Sequence, residues 1–329
     1  MTDNKKKWSS QNQGFNDSLK YMQGRMKGEI RSLKTPWPKF NDAGVEGLEW
    51  SSTTVIGGRP GSLKTLIKDQ IVRESFIHNA GDDFRVLEFQ LEMLARTSAI
   101  REYSSILGKS YKHLCSAGEI LKPEELMKCY EYAKERVKYP IDVVEEACTV
   151  PEFIQIIKEY MEEHAILEPV KQYRKTLITL DHSLLLKKAP YEKDKYDMLY
   201  ALGEAVTMLK RKYPIAFLIL SQLNRGIDSI DRNAPGTYGN YPNESDLFGA
   251  DALLQHADLI VLLNRPAKQK INIYGPEKFI IDDESLLAAH FVKCRNGDTR
   301  ISFFRAEFNK MKINECMTPG VQARRSIST

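Results

Sequence analysis

The chain has 329 residues, with 48 lysines and arginines against 44 aspartates and glutamates, a formal charge of +4. That length suits one large domain or two small ones, and 42% apolar with 28% charged residues excludes wholesale disorder. No apolar run approaches the ~20 residues of a membrane-spanning helix. The basic start, Lys5, Lys6 and Lys7, lacks the apolar stretch of a secretory leader.

The five cysteines are widely spaced and form no C-x-x-C pair. A disulfide framework or a zinc site is therefore not expected, and a reducing cytoplasm is. Charge is unevenly spread. Residues 1–40 hold nine bases and three acids, net +6, whereas residues 119–168 hold thirteen acids and six bases, net −7. Like charge of that density repels phosphate, so 119–168 reads as a solvated acidic helical face kept away from nucleic acid.

In chain order, residues 1–14 are polar and read as a disordered tail. Phe15, Leu19, Met22, Met26, Ile30 and Leu33 recur at spacings of three and four, which predicts one helical stripe over 15–33. Asn16 or Asp17 would cap its start, and Thr35-Pro36-Trp37-Pro38 would end it. The stripe can fold back on its own core or dock on a neighbouring subunit. A connection through Gly47 then leads, near residue 50, to alternating strands and helices. Strands are expected at Thr53–Ile56, Val86–Leu91, Leu177–Leu180, Ile215–Leu220 and Leu259–Leu263. Helices are expected from Lys64 and over 93–108, 124–138, 151–164 and 194–212. Residues 224–245 read as a mobile polar loop. Ala288–Lys293 and Thr299–Phe304 flank Arg295-Asn296-Gly297-Asp298, a hairpin signal. Such alternation predicts an α/β fold with a mainly parallel sheet and helices on both faces. The tail from 314 reads as loose.

The most specific feature is Gly58-Arg59-Pro60-Gly61-Ser62-Leu63-Lys64-Thr65, after one expected strand and opening an expected helix. That is the context of a G-x-x-x-x-G-K-[ST] phosphate loop. Backbone N–H groups at a helix start make a partly positive cradle for phosphate. Lys64 would add a point charge to the β and γ phosphates of ATP, and the Thr65 hydroxyl would join Mg²⁺, which prefers oxygen ligands. Leu63 stands where this motif carries glycine, and its side chain is expected to crowd the phosphates or tilt the loop. Asp181 ends an apolar strand, as a carboxylate serving Mg²⁺ does. Glu92 follows another strand and can polarise water. Gln222 follows a third. An open parallel sheet binds ligands beyond its strand C-termini, where all these residues are expected to fall.

In these stretches the sequence resembles the ATPase domain of DnaB-type replicative helicases, within the RecA-like superfamily. Besides the phosphate loop, the resemblance lies in Gln90-Leu91-Glu92-Met93, Leu177–Asp181, Leu220-Ser221-Gln222-Leu223-Asn224-Arg225, Ser245-Asp246-Leu247, Ala257-Asp258-Leu259-Ile260 and Lys293-Cys294-Arg295-Asn296-Gly297. It runs in order over about residues 50–310. It implies an ATP-dependent DNA helicase or translocase acting on single-stranded DNA in replication. Glu92 would activate water, Asp181 would serve Mg²⁺, and Gln222 would link the γ-phosphate to DNA-facing loops. Lys293 and Arg295 would reach the ATP of the adjacent subunit of a hexameric ring, Arg295 as an arginine finger. Helix 15–33 would be the linker helix that packs on the next subunit. DNA contact would come from Arg225, Phe248 and Gly249. Primase or a loader would be a partner, and no membrane is involved.

The family pattern is not kept throughout. The family's N-terminal helical domain is not expected here, which implies a minimal helicase from a phage or mobile element. Phe248 replaces the usual arginine, Asp251 replaces the usual glycine, and residues 109–168 read as a helical insertion. A lost positive and a gained negative charge weaken backbone contact to nucleic acid, whereas Phe248 can stack on a base. Two other readings therefore stay open: a RecA-like binding or structural protein with decayed ATPase, and a recombinase-like regulatory ATPase.

Overall fold

A computed structural model describes residues 10–118, 120–229, 232 and 241–322. The expected tails over 1–9 and 323–329, and most of the expected loop over 230–240, lie outside the described residues.

Nine strands form one sheet. In chain order they are β1 (Ser52–Gly58), β2 (Phe84–Gln90), β3 (Ile141–Val144), β4 (Lys175–Asp181), β5 (Ile215–Gln222), β6 (Leu259–Asn264), β9 (Leu286–Cys294), β10 (Arg300–Glu307) and β11 (Lys312–Glu315). The strands β7 (Ile273–Tyr274) and β8 (Phe279–Ile280) make a separate small hairpin. The spatial order is β11-β10-β9-β6-β1-β5-β4-β2-β3. Pairings from β3 across to β6 are parallel, and β9, β10 and β11 add an antiparallel edge.

Both faces are apolar because the central strands are continuous runs whose side chains alternate between two layers. In β5, Ile215, Phe217 and Ile219 face one core cluster, and Ala216, Leu218 and Leu220 face the other. The first layer is covered by α7 (Val150–Glu163) and α8 (Lys195–Lys212), through Phe153, Ile157, Leu202 and Val206. The second is covered by α3 (Lys64–His78), through Leu66, Ile67 and Ile71, and by the chain preceding β1. The helix expected over 93–108 forms as α4 (Ala95–Leu107).

Four boundaries differ from the sequence expectation. The first helix, α1, runs Gln11–Met26 and not over 15–33; Ser10 caps it, accepting from the Gln13 N–H at 3.2 Å, so the ordered chain begins inside the expected 1–14 tail. Gly28 follows in the left-handed region at φ 70°, and Ile30 and Leu33 leave the stripe. Leu33 instead exchanges two 2.9 Å backbone hydrogen bonds with Leu48. Trp37 caps the single turn α2 (Pro38–Asn41), and it and Phe40 are buried against the sheet. The Trp37 indole donates to the Ile313 carbonyl at 2.9 Å. The core thus begins at Leu33, not near 50. Second, 109–168 is not simply a helical insertion: it supplies edge strand β3 and core helix α7 as well as α5 (Tyr111–Cys115) and α6 (Pro123–Arg136). Third, the expected loose tail opens as the last strand, since Ile313 is fully buried. Fourth, 224–245 is structured at both ends, with 3-10 turns at Arg225–Asp228 and Glu244–Asp246. The expected hairpin forms as β9 and β10. Its tip presses on the segment before β1, where a Cβ on Gly297 would lie 2.1 Å from the Ala43 carbonyl oxygen.

Candidate nucleotide site and the loops around it

The parallel register decides which strand ends meet. Gly58 of β1 pairs with Gln222 of β5, and Gln90 of β2 pairs with Asp181 of β4. The four neighbouring strands therefore deliver Gly58, Gln222, Asp181 and, two residues past β2, Glu92 to one edge. A cavity of about 420 Å³ opens there, lined among others by Gly61, Lys64, Thr65, Glu92, Asp181 and Gln222.

The phosphate loop joins β1 to α3. Gly61 is left-handed at φ +78°. Leu63, the helix N-cap, is left-handed too, at φ 71° and ψ 21°. Leucine thus adopts the backbone conformation that glycine takes freely, at a cost of about 1–2 kcal/mol. Its side chain turns into the second core cluster. Leu63 also lines the cavity, beside Gly61 and Lys64. Lys64 curls over the loop, donating to the Gly58 carbonyl at 2.7 Å and the Arg59 carbonyl at 3.3 Å. Arg59 donates to Asp228 at 2.7 Å and to the Leu223 carbonyl at 3.2 Å, tying the phosphate loop to the turn after β5.

Burial pulls the Lys64 ammonium down to about 8, against the opposing charges of Asp181 and Glu92. Burial pushes the Asp181 carboxyl up to about 6, although Lys68 acts to lower it. The Thr65 hydroxyl lies 3.4 Å from the Asp181 carboxylate. The Gln222 amide donates to His182 Nε2 at 2.6 Å, and burial lowers the His182 imidazole from its ordinary value.

The residues fit a magnesium nucleotide. The Ser62 hydroxyl is buried in the loop with no protein partner among the described residues. Thr65 and Asp181 offer the hard oxygens Mg²⁺ prefers. No cluster of three metal-ligating side chains occurs among the described residues.

Several residues here escaped the motif reading. Lys68, one turn beyond Lys64, is fully buried, 2.7 Å from Asp69, 3.0 Å from Glu88 and 3.9 Å from Asp181. Burial alone would lower its ammonium, but the three carboxylates outweigh burial and hold it above its ordinary value. The signal was a charged residue at a helical position among Leu66, Ile67 and Ile71. Phe308 and Met311, from the turn after β10, also line the cavity. The Arg265 guanidinium lies 4.8 Å over the Phe308 ring. No sequence spacing links 265 to 308; only the antiparallel edge does.

Lys293 and Arg295 do not line this cavity. Arg295 pairs with Asp258 at 3.0 Å, and its backbone N–H donates to the Asp258 carbonyl at 2.8 Å. Lys293 donates to the Leu254 carbonyl, and burial lowers its ammonium. Arg225 is exposed in its 3-10 turn. Phe248 donates its N–H to the Gln222 carbonyl at 2.8 Å, and Gly249 follows in the left-handed region at φ 65°. Expected DNA-loop and nucleotide residues are thus neighbours.

A phosphate loop after the first strand of a mainly parallel sheet, with a carboxylate at the end of β4, defines a RecA-like P-loop NTPase fold. The family model for the DnaB-like helicase C-terminal domain matches residues 33–313, and the chain belongs to that family. The match starts at Leu33, where the packed core starts. Among curated proteins, no sequence matches significantly. Many solved structures share the fold, and two serve as examples. A DnaB-like replicative helicase, described with its interactions with primase, is 16% identical with a TM-score of 0.68, over 84% of this chain and 61% of that one. The other, an ATPase domain, is 16% identical with a TM-score of 0.72, over 92% of this chain and 98% of that one. The chain thus spans about three fifths of the first structure and nearly all of the second.

Proposed function

We propose that the chain is the motor of a DnaB-type replicative helicase, hydrolysing ATP to move along single-stranded DNA as a homo-hexameric ring. The observation that carries this is the convergence of Lys64, Thr65, Glu92, Asp181 and Gln222 on one cavity. Residues Gly58 to Thr65 cradle the phosphates, with Lys64 swinging from its loop carbonyls to the β and γ oxygens. Thr65 and Asp181 would hold Mg²⁺, which would neutralise phosphate charge. Glu92 accepts a proton from the attacking water. Gln222 exchanges His182 for the γ-phosphate, and the Phe248 N–H on its carbonyl carries that movement to the DNA loops. Arg265 and Phe308 enclose the base.

Lys293 and Arg295, remote from their own cavity, serve the neighbour's nucleotide, so hydrolysis depends on assembly. Arg295 leaves Asp258 to do so. The exposed stripe Phe15, Leu19, Met22 and Met26 on α1 docks on the adjacent subunit. Primase or a loader is a partner, and the cytoplasm is the compartment. The test is an ATPase titration with single-stranded DNA, with oligomeric state measured alongside. Stimulation by DNA, abolished by Lys64→Ala, is expected. Turnover that is absent, or indifferent to Lys64→Ala, would overturn the proposal.

A further inference from the structure

Phe248 occupies the loop position at which the resemblance calls for a DNA-binding arginine, and its ring is not alone. It stacks on Tyr196, with ring centroids 5.1 Å apart and planes 26° from parallel. Tyr196 lies in the first turn of α8, and its N–H donates at 2.8 Å to the capping Asp194 carboxylate, which fixes its backbone. Tyr196 is 48% exposed, and Tyr200, one turn further, is 43% exposed. Phe248 is half-buried, packed on the first core cluster. Its N–H is bonded to the Gln222 carbonyl, and Leu247 pairs with Leu223 across the two loops. The platform is thus anchored to the core at one end and open to solvent at the other.

Charge at this place does not favour phosphate: on the helix start Lys193 and Lys195 are offset by Asp194 and Asp197, the Lys195 ammonium is taken up by the Leu184 and Leu186 carbonyls at 2.8 and 2.7 Å, and Asp251 follows Phe248 by three residues. Base faces carry no charge, and stacking on an aromatic tolerates every base.

We propose that Tyr196 and Phe248 form a base-stacking step for single-stranded DNA, replacing an ionic contact to the backbone. This rests on the single-stranded DNA reading above. Phe248 supplies the rigid underlay and Tyr196 the face that meets the base. Because Phe248 is bonded to Gln222, the step moves when Gln222 responds to nucleotide.

The test measures binding by fluorescence anisotropy in the presence of a non-hydrolysable ATP analogue. The probes are labelled oligothymidylate and an abasic oligonucleotide of equal length, at low and high salt. Wild type is expected to prefer the oligothymidylate. Tyr196→Ala is expected to weaken oligothymidylate binding about 5- to 150-fold, with the abasic oligonucleotide and the salt slope unchanged. Tyr196→Phe is expected to retain wild-type binding, and its melting temperature serves as the folding control. Equal binding of both probes by wild type would overturn the stacking step alone. So would a Tyr196→Ala loss that is the same on both probes. Binding of neither probe would overturn the single-stranded DNA reading together with the step.

Discussion

Replacing Leu63 separates backbone strain from side-chain packing at the start of the phosphate loop. At φ 71° and ψ 21°, a residue with a Cβ carries about 1–2 kcal/mol that glycine does not. Leu63→Ala and Leu63→Gly both give up the same contacts beyond Cβ with the second core cluster. Because Leu63 is half-buried, that loss is about 1 kcal/mol, a fraction of the ~1.5–3 kcal/mol of full burial. Glycine also returns about 0.5–1 kcal/mol of freedom to the unfolded chain. Subtracting, Leu63→Gly is expected to exceed Leu63→Ala by about 0.5–1 kcal/mol in stability. Leu63→Asn, whose side chain tolerates this conformation, is expected beside glycine. In an ordinary helix interior the order is the reverse, with alanine ahead of glycine by about 1 kcal/mol. Urea unfolding of the three variants at one pH reads the order directly. Alanine equal to or above glycine would mean that Leu63 bears no left-handed strain.

Three further predictions concern the charge cluster, a buried histidine and the first helix. Lys68→Met leaves Asp69, Glu88 and Asp181 without their buried counter-ion and is expected to cost about 3–5 kcal/mol in urea unfolding. Adding Glu88→Leu should recover part of it, and a single-variant cost below about 1 kcal/mol would refute the ion-pair reading. His290 lies buried with Nε2 2.7 Å from the Tyr274 hydroxyl, and burial lowers its imidazole to about 3. The unfolded chain therefore binds a proton below about 6.5 that the folded chain refuses, so this contribution is complete above about 6.5 and is lost as pH falls towards 3. Asp181, pushed up to about 6, works oppositely, its contribution being lost as pH rises from about 4 to 6. His290→Gln should thus reduce the slope of stability against pH by about 1.4 kcal/mol per unit between pH 4 and 6, and an unchanged slope would refute the assignment. Finally, Leu19→Asp with Met22→Asp alters a stripe that is 56% and 57% exposed. Sedimentation should find the assembly shifted to smaller species with melting of the core unchanged; an intact ring would refute the docking role of α1.

Local pattern determined much of this protein. Apolar runs of strand length located the central strands within two residues at most ends, because burial on both faces leaves no polar position to blur them. The phosphate loop was legible because its chemistry needs adjacent residues: a turn, a lysine and a hydroxyl at one helix start. Asp181, Glu92 and Gln222 were legible as strand ends, since a parallel sheet sends every such end to one edge. Where the pattern failed, tertiary packing overrode it. Ile30 and Leu33 continue a helical spacing, yet Gly28 breaks the backbone and Leu33 is drawn into a bridge with Leu48. The strands β3 and β11 are four residues each, too short for a period to announce them, and they form where an open sheet edge accepts them. The pairings of Lys68 with Glu88 and with Asp181, the Arg265–Phe308 stack and the Tyr196–Phe248 pair join residues 20, 113, 43 and 52 positions apart. No local period encodes such distances. Only the strand order brings those side chains together, and with it the surroundings that set their charge, their strain and what they can bind.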